Sequence, residues 1–119
     1  VKTAPNLKGE AYYDMLDTCQ MGVVCRGGRR DCLVAKYVEF GMCHVLPVGD
    51  CPSYMPVEMK RAMVDVEHVS DANVVAEVKR LLSSPVELCQ RQEAYSETVH
   101  QRYDLLTNAR RVLAEITQA

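Results

Sequence analysis

Tryptophan is missing from the 119 residues and phenylalanine occurs once. The core must therefore be assembled from valine, leucine, methionine and tyrosine, a mainly aliphatic and adaptable mixture. Long apolar runs are missing too. The best candidate, Cys32 to Val48, is broken by Lys36, Glu39 and His44, which excludes a membrane-spanning helix. There is no excess of positive charge: 14 Lys and Arg stand against 16 Asp and Glu, a formal net charge of −2. Such a chain has no basic field with which to hold nucleic acid.

The usual chemical constellations are equally scarce. Gly27 and Gly28 lack the surrounding glycine pattern of a phosphate loop. His44, His68 and His100 lie on separate segments, without the i, i+4 spacing of a helical metal pair, so no metal site is expected. Cys43 and His44 are adjacent, but neighbouring side chains on a helix diverge and cannot share the hydrogen bond of a nucleophilic dyad. Asp65 and Glu67 do not face one another on a helix either, which leaves paired-carboxylate catalysis without support. The expectation is a chain with no catalytic residue and no cofactor, hence not an enzyme.

Cysteine is what the sequence does have. Of six, five fall between Cys19 and Cys51, an even count at a density natural to an oxidising compartment. Disulfides among Cys19, Cys25, Cys32, Cys43, Cys51 and Cys89 are expected, with 15 connectivities that the sequence does not separate. Zinc would want C-x2-C or C-x4-C pairs, whereas the gaps are five, six, ten, seven and 37 residues. A reduced intracellular scaffold with buried thiols is the remaining alternative. The chain starts at Val1 instead of methionine, which fits removal of a targeting segment and equally fits a trimmed chain.

Taken in order, residues 1–8 lack periodicity and read as an extended arm. Tyr12, Met15, Leu16, Cys19 and Val23 share a stripe at helical spacing, predicting a helix from about Glu10 to Arg26 that ends at Gly27 and Gly28. Asp31 is placed to cap a second helix through the run to Cys43. Strand competes there, because Val34, Tyr37, Val38 and Phe40 favour β structure. Residues 46–56 read as an irregular connection, followed by a helix from Pro56 to Val66 with proline in its first turn. Ser70 or Asp71 starts another, with Val74, Val75, Val78, Leu81 and Leu82 facing a core.

Ser84, Pro85 and Glu87 combine a capping box with proline at the first helical position. No glycine or proline follows before Thr117, so one helix over 84–117 is predicted, on the order of 45 Å long. Tyr95, Val99, Arg102, Leu106, Ala109, Leu113 and Ile116 alternate spacings of four and three along it, a seam for a partner that Arg102 interrupts. Tyr95, Val99, Leu106, Leu113 and Ile116 are the interface candidates. Arg26, Arg29 and Arg30 sit at a tight turn where guanidinium groups could grip a carboxylate cluster or an anionic headgroup; a solvated turn accounts for them as well. The fold expectation is a single all-α domain over 1–119, with four to five helices, a cysteine-rich hairpin over 9–51 and a long C-terminal helix.

At the cysteines, Cys32-LVAKYVEFGM-Cys43 resembles the C-x10-C arm of mitochondrial intermembrane-space CHCH proteins, whose helical hairpins are held by disulfides. The resemblance covers about 35 residues. It departs at the other arm, where Cys19 and Cys25 are only six apart. Measured from a turn flanked by Cys25 and Cys32, Cys19 lies about 9 Å along its helix and Cys43 about 16 Å along the other, so two rungs cannot form. A Cys25–Cys32 bridge would leave Cys19, Cys43, Cys51 and Cys89 to pair otherwise. The resemblance implies a non-catalytic accessory subunit or assembly factor facing the intermembrane space, peripheral to an inner-membrane respiratory complex, with other protein subunits as partners. A secreted or periplasmic binding module, such as an inhibitor, immunity protein or effector, is the alternative expectation.

Overall fold

The computed structural model describes residues 7–26 and 31–118 of the chain. Most of the expected 1–8 arm, the Gly27-Gly28 turn, and Arg29 and Arg30 lie outside the described residues. The order of elements is α1 (Glu10–Asp17), β1 (Met21–Val24), α2 (Ala35–Met42), β2 (Leu46–Gly49), α3 (Val57–Ala62), β3 (Val64–Asp65), α4 (Asp71–Leu82), α5 (Pro85–Tyr103) and α6 (Leu105–Gln118).

The all-α expectation is overturned by a three-stranded sheet, ordered β1-β2-β3, in which both pairs run parallel. Parallel neighbours need a crossover connection, and α2 and α3 supply one each. The helix expected over Glu10 to Arg26 stops at Asp17, and Met21 to Val24 pair with Leu46 to Gly49. The irregular connection expected over 46–56 begins instead as the central strand, buried at every position. The helix expected to reach Val66 ends at Ala62, after which Val64 and Asp65 pair with Val48 and Gly49. The sixth helix arises because the one expected over 84–117 breaks at Asp104.

The disulfide expectation is overturned as well. Cys19, Cys25, Cys32, Cys43, Cys51 and Cys89 are all free thiols, so neither the Cys25–Cys32 bridge nor any other staple closes a hairpin. Strand β1 occupies the arm on which Cys19 and Cys25 were to face Cys32 and Cys43. Cys32 itself precedes α2, whose cap is Val34. Here packing does what staples were expected to do.

Helices α2, α3 and α5 enclose the sheet's apolar side. Tyr37, Leu46, Met59, Leu81, Tyr95 and Val99 are fully buried together, and the Tyr95 hydroxyl donates to the Tyr37 carbonyl at 2.8 Å. That bond satisfies the one polar atom of a ring that is otherwise core. Gly41 lets α2 approach α5 closely, since a Cβ there would lie 2.4 Å from Val99 Cγ2. Helix α4 starts where its sequence predicts, with the Ser70 hydroxyl accepting from the Asn73 N–H at 3.3 Å, but of the five residues expected to face a core only Leu81 is buried, Val74 and Val78 are half-buried, and Val75 and Leu82 are exposed. In α5, proline holds the first position as expected, but Ser84 makes no side-chain cap bond.

Candidate functional site

Because the strands are parallel, β1, β2 and β3 end at the same edge of the sheet. Polar or ionisable residues lie just beyond each end: Cys25 and Arg26 after β1, Asp50 and Cys51 after β2, and Glu67 two residues beyond β3. Arg26 organises this edge. Its backbone N–H donates to Asp50 Oδ1 at 2.9 Å, and its Nε lies 3.1 Å from Asp50 Oδ2. The guanidinium also reaches Asp31 at 3.4 Å and Glu67 at 3.6 Å. A single cation thus bridges carboxylates from three separate connections.

Asp50 is the best-anchored of these acids, since Tyr37 donates to both its side-chain Oδ1 and its backbone oxygen at 2.9 Å. Burial, followed by the bond to Asp50, holds the Tyr37 phenol well above the ordinary range, so it stays protonated and acts as a donor. Asp31 accepts from the Ser53 N–H at 3.0 Å and from the Ser53 hydroxyl. These Ser53 bonds, with help from Arg26, hold its carboxyl below its usual value. The position expected to cap a helix pins the loop after β2 instead. Cys51 beside them is buried, and burial, then Asp65, pushes its thiol up to about 12. Such a thiol stays protonated at neutral pH and is a poor nucleophile.

The other cysteines are dispersed. Burial, then Asp17, raises the Cys43 thiol, and Glu93 raises that of Cys89. Among the described residues, no group of three or more His, Cys, Asp or Glu side chains is placed to hold a metal ion. His44 and His68 both adopt positive φ, 56° and 62°, in turns.

The expected interface seam is split by the fold. Tyr95 and Val99 face the core and are fully buried, whereas Leu106, Leu113 and Ile116 lie on α6 and are exposed, as is Leu105 at 83%. No side chain of α6 is buried. The split occurs at Asp104, whose carboxylate accepts from the Thr107 N–H at 2.9 Å and the Thr107 hydroxyl at 2.7 Å. This is an N-cap that starts a second helix after an extended residue, Asp104 having φ −64° and ψ 121°. The signal was available in the sequence as Asp104-Leu-Leu-Thr107, although nothing there breaks helical periodicity. Arg91, described below, carried no signal of its own.

Among the described residues no helix is long and apolar enough to cross a membrane. No protein-family model, no curated protein and no solved structure matches the chain. What geometry defines is a class, a parallel α/β unit with a polar carboxyl edge and one projecting amphipathic helix.

Proposed function

We propose that this chain is a structural, non-catalytic component of a larger protein assembly, docking through the apolar stripe of α6 onto another subunit. The observation behind this is α6 itself, a 14-residue helix that buries nothing while Leu105, Leu106, Val112, Leu113 and Ile116 stand exposed. At about 100° per residue these five fall within one face roughly 120° wide. An apolar face of that width on a projecting helix marks a protein contact. The radius of gyration, 15.6 Å, exceeds the ~13.5 Å expected of a compact chain this long, in keeping with the projection. Arg110 borders the stripe, so the partner surface is apolar with an acidic margin. The six cysteines are free thiols, so this reading rests on α6 and not on cysteine pairing.

The test is Leu113→Glu. Because Leu113 is exposed, the chain's own stability should change by no more than about 0.5 kcal/mol. The wild-type chain isolated from its partner should self-associate through the bare stripe in sedimentation equilibrium, and the variant should be monomeric. A wild-type chain that remains monomeric at millimolar concentration would count against docking through α6.

A second reading is favoured by the carboxyl edge. Open parallel sheets bind ligands outside the carboxyl ends of their strands, where Arg26, Asp31, Asp50 and Glu67 converge. Three carboxylates around one guanidinium suit a polar molecule that donates hydrogen bonds. A thermal-shift screen of polyols and amines should then find a ligand whose stabilisation disappears in Asp31→Asn. Stabilisation that persists in the variant would remove Asp31 from any such site.

A further inference from the structure

We propose that the outer edge of β1 is a strand-docking site for an extended, apolar and acidic segment of a partner protein. This surface is separate from α6, and the proposal does not depend on the one made for that helix. Strand β1 lies at the end of the sheet order, paired with β2 on one side only. Which of its backbone groups are used follows from one bond. Leu46 donates its N–H to the Gln20 carbonyl at 3.0 Å, so Gln20, Gly22 and Val24 turn their peptide groups toward β2. By the alternation of a strand, Met21 and Val23 turn theirs outward. Among the described residues nothing pairs with them.

Exposed edges are normally protected by charge, proline, a bulge or a covering element. Met-Gly-Val-Val has neither charge nor proline, and Val23 is 83% exposed. At the C-terminal half of β1, Val23 and Val24 help to line a groove of about 750 Å³ that Leu7 and Tyr13 also line, together with the charged Lys8, Lys36 and Glu39. Glu39 accepts a hydrogen bond from the Tyr12 hydroxyl at 2.9 Å, whereas neither lysine forms an ion pair with a described residue.

Free donors and acceptors in a row specify an extended backbone, the apolar lining specifies alternating apolar side chains, and the two ammonium groups specify carboxylates between or beside them. A second copy of the same edge fits poorly, because β1 has no carboxylate with which to answer Lys8 and Lys36.

Hydrogen exchange on the full chain tests this, with a seven-residue peptide alternating valine and glutamate as the probe. In the chain alone, Gly22 and Val24 amides should be protected while Met21 and Val23 exchange at least tenfold faster. Adding the peptide should slow Met21 and Val23 at least tenfold. Val23→Pro removes an outward N–H, a substitution that an edge strand tolerates. It should keep Gly22 and Val24 protected and abolish the peptide's effect at Met21. If it unfolds the chain, Lys36→Glu, which reverses one of the two unpaired charges without touching the β1 backbone, should weaken peptide binding about tenfold. The proposal is overturned if Met21 and Val23 are already protected in the monomer, if their protection rises with chain concentration alone, or if millimolar peptide leaves them unchanged.

Discussion

Replacing Gly49 with alanine should cost about 3 kcal/mol, near the upper end of what overpacking a close contact costs. At about 2.1 cal/mol/K of unfolding entropy per residue, that lowers the melting temperature by about 12 °C. The reason is where a new methyl group would go. A Cβ at Gly49 would lie 1.9 Å from the Val24 carbonyl oxygen and 2.9 Å from its carbon. Those atoms are backbone in the neighbouring strand, so no rotamer change relieves the clash, and β1 would have to separate from β2. Gly22 provides the contrast: a Cβ there meets Phe40 ring atoms at 2.7 and 2.9 Å, which belong to a buried side chain and not to the backbone of a paired strand. Calorimetry on both alanine variants measures the difference, and a Gly49→Ala melting temperature within 3 °C of wild type would show that the strands are not held at this spacing.

Gly49 also explains why the sheet was hard to see in the sequence. Leu46-Pro47-Val48-Gly49 contains two residues that ordinarily argue against a central strand. Pro47 is tolerated because of register. Leu46 and Val48 turn their peptide groups toward β1, so Pro47 faces the β3 side, and the β3 ladder begins only at Val48 opposite Val64. The missing N–H falls where there is no strand to receive it. Strand β1 was hidden for a different reason: Tyr12, Met15, Leu16 and Cys19 sit at helical spacing, and the same rhythm carried on to Val23 although α1 ends at Asp17. Short parallel strands leave little periodicity of their own, and their partners are 15 or more residues away in the chain.

Local signals fared better. Ser70 caps α4 and Pro85 opens α5 where the sequence places them, because a cap depends on residues within one turn. Arg26 was legible as a guanidinium seeking carboxylates, while the identity of those carboxylates depended on three connections converging at one sheet edge. The cysteines misled most. Their count suggested covalent staples, yet Cys51 behaves as a small buried apolar residue, 3.6 Å from the Met63 sulfur, and Cys25 and Cys89 are exposed.

Arg91→Ala is the second substitution expected to have a large effect, about 3 kcal/mol in urea unfolding, from the loss of charge-assisted hydrogen bonds worth roughly 1.5–3 kcal/mol each. Arg91 Nε donates to the Ala62 carbonyl at 2.6 Å, and Nη2 donates to the Met63 carbonyl at 2.7 Å. Ala62 ends α3, so these are carbonyls left over where a helix stops. Both residues are buried, and removal of the guanidinium leaves their oxygens short of partners. The ion pair with Glu77 at 3.3 Å is a smaller contributor, since Glu77 is 37% exposed. Glu77→Gln should therefore cost less than about 1 kcal/mol. Arg91→Lys should recover only part of the loss, because one ammonium cannot reproduce the fork that spans two successive carbonyls. Because Glu77 also pairs with Arg80 at 2.8 Å, a double-mutant cycle isolates the contact, and a coupling energy between positions 77 and 91 as large as the whole Arg91→Ala loss would mean that the ion pair, not the carbonyl fork, is what matters. The distinction bears on the sheet, because Met63 leads directly into β3. By fixing the last carbonyls of α3, Arg91 sets where Val64 meets Val48, and so connects α5 to the strand whose end completes the carboxyl edge.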